Sequence, residues 1–111
     1  MEPLYGVLEM LVLRTLLFGP RHGYAIARAI RDGSRDGVKI EFGSLYPALK
    51  RLELKGWIAA NWELSDLNRR AKVYRLTPVG RRQLRQETSE WAEFVAGVAR
   101  LMKPAPGEGE R

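Results

Sequence analysis

A chain of 111 residues carries a net charge of +6, with 19 Lys and Arg against 13 Asp and Glu. That length makes one domain with a modest core, and the basic balance suits an acidic partner such as nucleic acid or an anionic membrane. Without cysteine there are no disulfides or thiolate metal sites, one histidine rules out paired-histidine ligation, and no apolar run approaches the ~20 residues of a bilayer span. Glu2 and Pro3 do not make the basic start of a signal peptide, so a reducing cytoplasm is the expected compartment.

The first predicted helix covers 3–18. Pro3 suits a first helical position, and Gly19-Pro20 ends the segment. From Val7 to Phe18 only Glu9, Arg14 and Thr15 are polar. A helix apolar nearly all round must be covered on more than one side. It is either the central helix of a compact monomer or covered on its far side by a second subunit. The second is the simpler expectation, so a homodimer is predicted. A second helix follows over 22–32, with Ile26 and Ile30 inward and Arg28 and Arg31 outward. The connection 33–42 exceeds the 3–4-residue turn of a simple helix-turn-helix, as winged-helix domains allow. Val38-Lys39-Ile40 is a candidate short strand within it.

The third helix is predicted over 44–55, between a Ser44 N-cap and a Gly56 stop. Pro47 then falls in the first turn, where a missing N–H costs little. At about 100° per residue, Leu45, Ala48, Leu49 and Leu52 share one face. Tyr46, Pro47, Lys50, Arg51 and Leu54 share the other. An aromatic, a proline and two adjacent cations make a face that can lie against a polyanion.

Residues 57–64 alternate loosely and hold two tryptophans, which favours a strand; 72–77 is its partner candidate. The polar loop 65–71 between them completes a β-wing. Thr77-Pro78 opens a last helix over 78–102, about 37 Å long at 1.5 Å per residue. Along it Leu84, Thr88, Trp91, Val95, Val98 and Met102 form a seam of roughly 3.5-residue period, imperfect at Thr88. Its distal half outruns a small core and needs a cover for Trp91, Phe94, Val95 and Val98. Residues 104–111 read as a disordered tail by composition. The fold class is therefore mainly α (α+β): a winged helix-turn-helix over 1–77 and a long C-terminal dimerisation helix over 78–103.

Three strings carry a resemblance. Gly43-Ser44-Leu45-Tyr46-Pro47-Ala48-Leu49, continued by Arg51-Leu52-Glu53 and Gly56-Trp57-Ile58, resembles the recognition-helix signature of the PadR family of bacterial transcriptional regulators. His22-Gly23-Tyr24 upstream and Tyr74-Arg75-Leu76-Thr77 with Gly80-Arg81 downstream match that family in order and spacing. The resemblance spans residues 4 to about 100 and implies a short-form member with no second domain after residue 103. It implies a homodimeric DNA-binding repressor, and a planar hydrophobic effector bound near the last helices.

From Asp66 to Arg85 there are seven cations (Arg69, Arg70, Lys72, Arg75, Arg81, Arg82, Arg85) and one acid. A charge run is commonly only a solvated surface, but arginine on a wing tip also suits a minor groove or a backbone. The expected DNA contacts are His22, Tyr24, Ser44, Tyr46, Pro47, Lys50, Arg51, Arg69, Arg70 and Lys72 on a palindromic operator. His22 stands where a helix start can hold a phosphate, or is a plain cap and core contact. The dimer or effector pocket is expected at Leu4, Leu8, Leu11, Trp91, Val95 and Val98, with Trp91 either closing the interface or flanking a slot. No nucleophile–base constellation, glycine-rich phosphate loop or cofactor motif is present, so no enzyme and no cofactor are expected. The rival reading is a winged-helix protein-interaction module without DNA activity.

Overall fold

A computed structural model describes residues 3–64 and 66–107, with side chains from Gly6 onward in the first helix. Four helices enclose one edge of a three-stranded antiparallel sheet: α1 (Pro3–Leu16), β1 (Arg21–His22), α2 (Gly23–Gly33), α3 (Phe42–Leu54), β2 (Ile58–Leu64), β3 (Arg70–Leu76) and α4 (Pro78–Leu101). The strand order is β1-β3-β2. This is a winged helix with a long C-terminal helix.

The core gathers Met10, Val12, Leu13 and Leu16 of α1, Ile26 and Ile30 of α2, and Leu45, Leu49 and Leu52 of α3. Ile58, Tyr74 and Leu84 close it from the sheet and α4. α1 is the hub: it packs against α2, α3, α4 and β3 of its own chain. Much of the apolar circumference that points to a second subunit is therefore covered internally. The unsatisfied surface lies instead on α4, where Phe94, Val95, Val98, Leu101 and Met102 are exposed.

Three details of the sequence reading change. The third strand is not 38–40 but Arg21–His22, paired to β3 as Arg21↔Tyr74 and His22↔Val73. The Val38 N–H is already taken by Ser34 Oγ at 3.0 Å, and no strand partner runs beside it. α3 begins at Phe42 with Glu41 as N-cap, so Ser44 is not the cap; its own N–H reaches the Glu41 carbonyl at 3.0 Å. Pro47 consequently sits in the second turn, where its missing N–H leaves the Gly43 carbonyl without the usual helical donor.

Both ends of the wing are fixed by backbone chemistry. After α3, Gly56 turns left-handed at φ 75°, its N–H bonds Glu53 O at 3.0 Å, and Trp57 N–H bonds Leu52 O at 3.1 Å. This is a Schellman closure, which needs an αL residue that glycine supplies at least cost. β2 and β3 then pair from Ile58↔Leu76 out to Leu64↔Arg70. At the return, Thr77 N–H bonds Trp57 O at 3.1 Å, while Thr77 Oγ1 accepts the Gly80 N–H at 3.0 Å and caps α4. Within α4, Thr88 tolerates its seam position by bonding back to Leu84 O at 2.7 Å. Of the tail 104–111, residues 108–111 lie outside the described residues, as does Ser65 of the wing loop.

Candidate nucleic-acid interface

The extended backbone of His22 delivers the chain into α2, so that His22, Gly23 and Tyr24 meet the wing at one end of the molecule. A groove of about 870 Å³ runs between this corner, Tyr46 of α3, and Trp62, Arg69, Arg70 and Lys72 of the wing. Its wall is aromatic. Tyr24 stacks on Phe42 with centroids 6.1 Å apart, and Phe42 on Tyr46 at 5.9 Å. These rings stay in solvent, exposed by 61%, 44% and 48%, and Trp62 of the opposite wall by 59%. The Arg70 guanidinium lies 5.1 Å from the Trp62 ring centroid. Gly23 makes the corner possible: a Cβ there would stand 2.8 Å from Tyr46 Oη.

Beside it a second groove of about 420 Å³ holds Lys50, Glu53, Leu54 and Lys72 around Tyr46 and Tyr74. Lys72 Nζ bonds Glu53 Oε1 at 3.0 Å, which holds its ammonium pKa above the usual lysine value against the opposing effect of burial. Burial pushes the Tyr74 hydroxyl up as well, opposed by the nearby Lys72 charge. At neutral pH Lys72 is a cation tethered across the groove and Tyr74 a neutral donor.

Six of the ten expected contact residues line the first groove: His22, Tyr24, Tyr46, Arg69, Arg70 and Lys72. Lys50 lines the second. Ser44 and Pro47 are exposed on the first turns of α3 but border neither groove. Arg51 is half exposed but borders neither groove. Its Nε bonds Glu9 Oε1 at 3.0 Å, and Lys55 Nζ bonds Glu9 Oε2 at 3.1 Å. Glu9 is buried, and a buried carboxylate draws the nearest cations to itself. Arg51 therefore pins α3 to α1.

Phe42 and Trp62 join this surface without standing among the ten expected contacts. Phe42 stands four residues before Tyr46 and shares its face only once the helix is known to begin at 42. Trp62 is paired with Lys72 across the wing and shares the parity of Ile58 and Ala60, so alternation alone assigns it to the core face; it is exposed because the wing runs beyond the core. In the other predicted region, Trp91 packs against the core edge and tilts on Phe94 at 5.7 Å. Val95 and Val98 are exposed beyond it, and Leu8 is partly buried on α1. Leu11 borders a cavity between α1 and α2. The side chain of Leu4 lies outside the described residues.

The model of the Transcriptional regulator PadR-like family matches residues 12–86. The chain belongs to this family. PadR-like proteins are DNA-binding regulators and not enzymes. A PadR family transcriptional regulator from Eggerthella lenta is 36% identical and superposes with a TM-score of 0.77, over 91% of this chain and 86% of that one. A transcriptional regulator from Clostridium thermocellum, 27% identical, gives a TM-score of 0.82 over 93% and 100%. Transcriptional regulator Rv3488 of Mycobacterium tuberculosis is 34% identical over 76 residues, which is 68% of this chain and 70% of that protein. No helix among the described residues is long and apolar enough to cross a membrane. In this PadR-like chain, the corner residues Tyr24 and Tyr46 and the wing residues Trp62, Arg69 and Arg70 line one groove.

Proposed function

We propose that this PadR-like protein is a homodimeric, sequence-specific repressor working in the cytoplasm on a palindromic operator. The observation that supports it is the groove lined by Tyr24 and Tyr46, on which Phe42 stacks, together with Trp62, Arg69 and Arg70. Apolar ring edges contact bases and methyl groups, whereas guanidinium groups contact phosphates or a narrow minor groove. Residues 1–77 serve as the DNA-binding unit and 78–103 as the dimerisation helix. Two α3 helices related by a two-fold then meet half-sites about 34–36 Å apart.

The test is operator selection by the purified protein, followed by anisotropy across a salt series. Tyr46→Ala and Lys50→Ala should relax sequence preference. Arg69→Ala should weaken every duplex alike and flatten the log–log salt slope by about one. Equal losses on operator and random DNA for the α3 variants would move base readout elsewhere. No salt-sensitive binding to any duplex would favour an interaction module.

We further propose an effector slot where the α4 helices meet, walled by Trp91, Val95 and Val98, with Leu8 of α1 beside it. A planar hydrophobic compound there changes operator affinity only if it binds two spacings of the α3 pair unequally. With Trp57 and Trp62 changed to Phe, titration of flat aromatics should quench Trp91 saturably and weaken operator binding. An unresponsive Trp91 in an intact, DNA-competent dimer would leave a plain interface.

A further inference from the structure

A cavity of about 420 Å³ opens between α1 and α2 and shares no lining residue with the DNA groove. Its apolar wall is Leu11, Phe18, Ile30 and Val38, and Arg14 and Arg21 border it. The volume falls in the range of about 300–1,000 Å³ typical of small-molecule sites.

The two arginines are held but not neutralised. Arg14 lies over the Phe18 ring, 4.9 Å from its centroid. Arg21 Nε donates to Thr15 O at 3.1 Å. Among the described residues, neither joins a carboxylate. Two helices end beside the cavity, and their carbonyls would ordinarily repel an anion. Several of these carbonyls are already bonded. Thr15 O takes Arg21, Ile30 O takes the Ser34 N–H at 3.1 Å, and Arg31 O takes Ser34 Oγ at 3.2 Å and the Asp36 N–H at 2.8 Å. A guanidinium has five donors, so the terminal nitrogens of both arginines remain for an outside acceptor.

We propose that this cavity binds a small amphipathic monocarboxylate, its tail on the Leu11, Ile30 and Val38 wall and its carboxylate on Arg14 and Arg21. The aliphatic wall selects a flexible chain, and the two cations on the lining select an acid over its neutral analogue. Gly33 lines the same space, and a Cβ on it would meet nothing within 4 Å. A side chain placed there enters the cavity without a clash.

Calorimetric titration of the intact protein with octanoate and with octanamide tests the site. Octanoate should bind saturably at one site per chain, with octanamide at least about tenfold weaker, because the charge-assisted bonds are lost. Gly33→Leu should abolish octanoate binding with helix content and operator binding unchanged. Arg14→Gln should weaken octanoate by about tenfold and erase the preference over octanamide; it decides the matter if Gly33→Leu fails to fold. Trp91→Ala should leave binding intact. The proposal is overturned if octanoate gives no saturable binding, if octanamide matches it, if Gly33→Leu retains it, or if Trp91→Ala abolishes it.

Discussion

Gly23 and Tyr46 form the smallest unit on which the DNA reading depends. The Tyr46 ring occupies the space that any side chain at residue 23 would need. Because Tyr46 is half exposed and can swing away, Gly23→Ala should change stability by no more than about 0.5 kcal/mol. It should nevertheless lower operator affinity by displacing the ring. Paired thermal melts and anisotropy check this, and unchanged affinity would remove Tyr46 from the contact surface. Glu87 makes a different prediction. Burial raises its carboxyl pKa; Gln83 and Lys55 oppose the shift, while Glu9 and Glu90 add to it. Its Oε2 is buried without a partner. A carboxyl whose pKa is higher folded than unfolded binds its proton more tightly in the native state. Stability therefore falls as pH rises from the ordinary carboxylate range through the raised value. Glu87→Gln should flatten that fall and be the more stable protein at neutral pH. Denaturant midpoints across that range measure it, and a Gln variant weaker than the parent at neutral pH would contradict the assignment.

α3 is placed by its back as much as by its face. Leu45, Ala48, Leu49 and Leu52 are buried, and Arg51 with Lys55 clamps its C-terminal half to Glu9 of α1. Glu9→Ala should destabilise the fold by about 1–3 kcal/mol, since two cations lose their buried acceptor and α1 loses a tie to α3. Arg51→Ala should cost less, because Lys55 still meets Glu9, and should leave base discrimination unchanged. That separates it from Lys50→Ala, which lies at the exposed groove. A loss of sequence preference in Arg51→Ala would return this residue to the contact face.

The whole chain is elongated. Its radius of gyration is 17.0 Å and its extents are 62 × 28 × 23 Å, against about 13 Å expected for a compact domain of this size. The 24-residue α4, ~36 Å long, accounts for the difference, and its far half exposes Phe94, Val95, Val98, Leu101 and Met102 in line. A stripe of this kind on a free monomer is costly in water. Sedimentation at micromolar concentration should give twice the chain's 12.6 kDa, and Phe94→Lys with Val98→Lys should return the single-chain mass while helix content persists. A single-chain mass for the unmodified protein would end the dimer reading.

Local rules sufficed for much of this. Helical periodicity, the Thr77-Pro78 start, the Gly56 stop and the alternation in 57–64 placed four helices and a wing within a few residues. Caps, turns and amphipathic faces are written within a few neighbouring residues, as is the one-signed run of wing cations, whereas His22-Gly23-Tyr24 stands out by its resemblance to the PadR family. Tertiary contacts decided the rest. Arg21–His22 becomes a strand only because β3 offers it a partner fifty residues away. Arg51, though half exposed, is engaged by a buried carboxylate on α1. Phe42 joins the aromatic row because α3 starts two residues before the best local cap, with Tyr24 of α2 on one side and Tyr46 on the other. α1, apolar nearly all round, is sheathed mainly by its own chain, so the surplus apolar surface falls on α4. In each case the deciding energy comes from a group distant in sequence, and no window along the chain contains it.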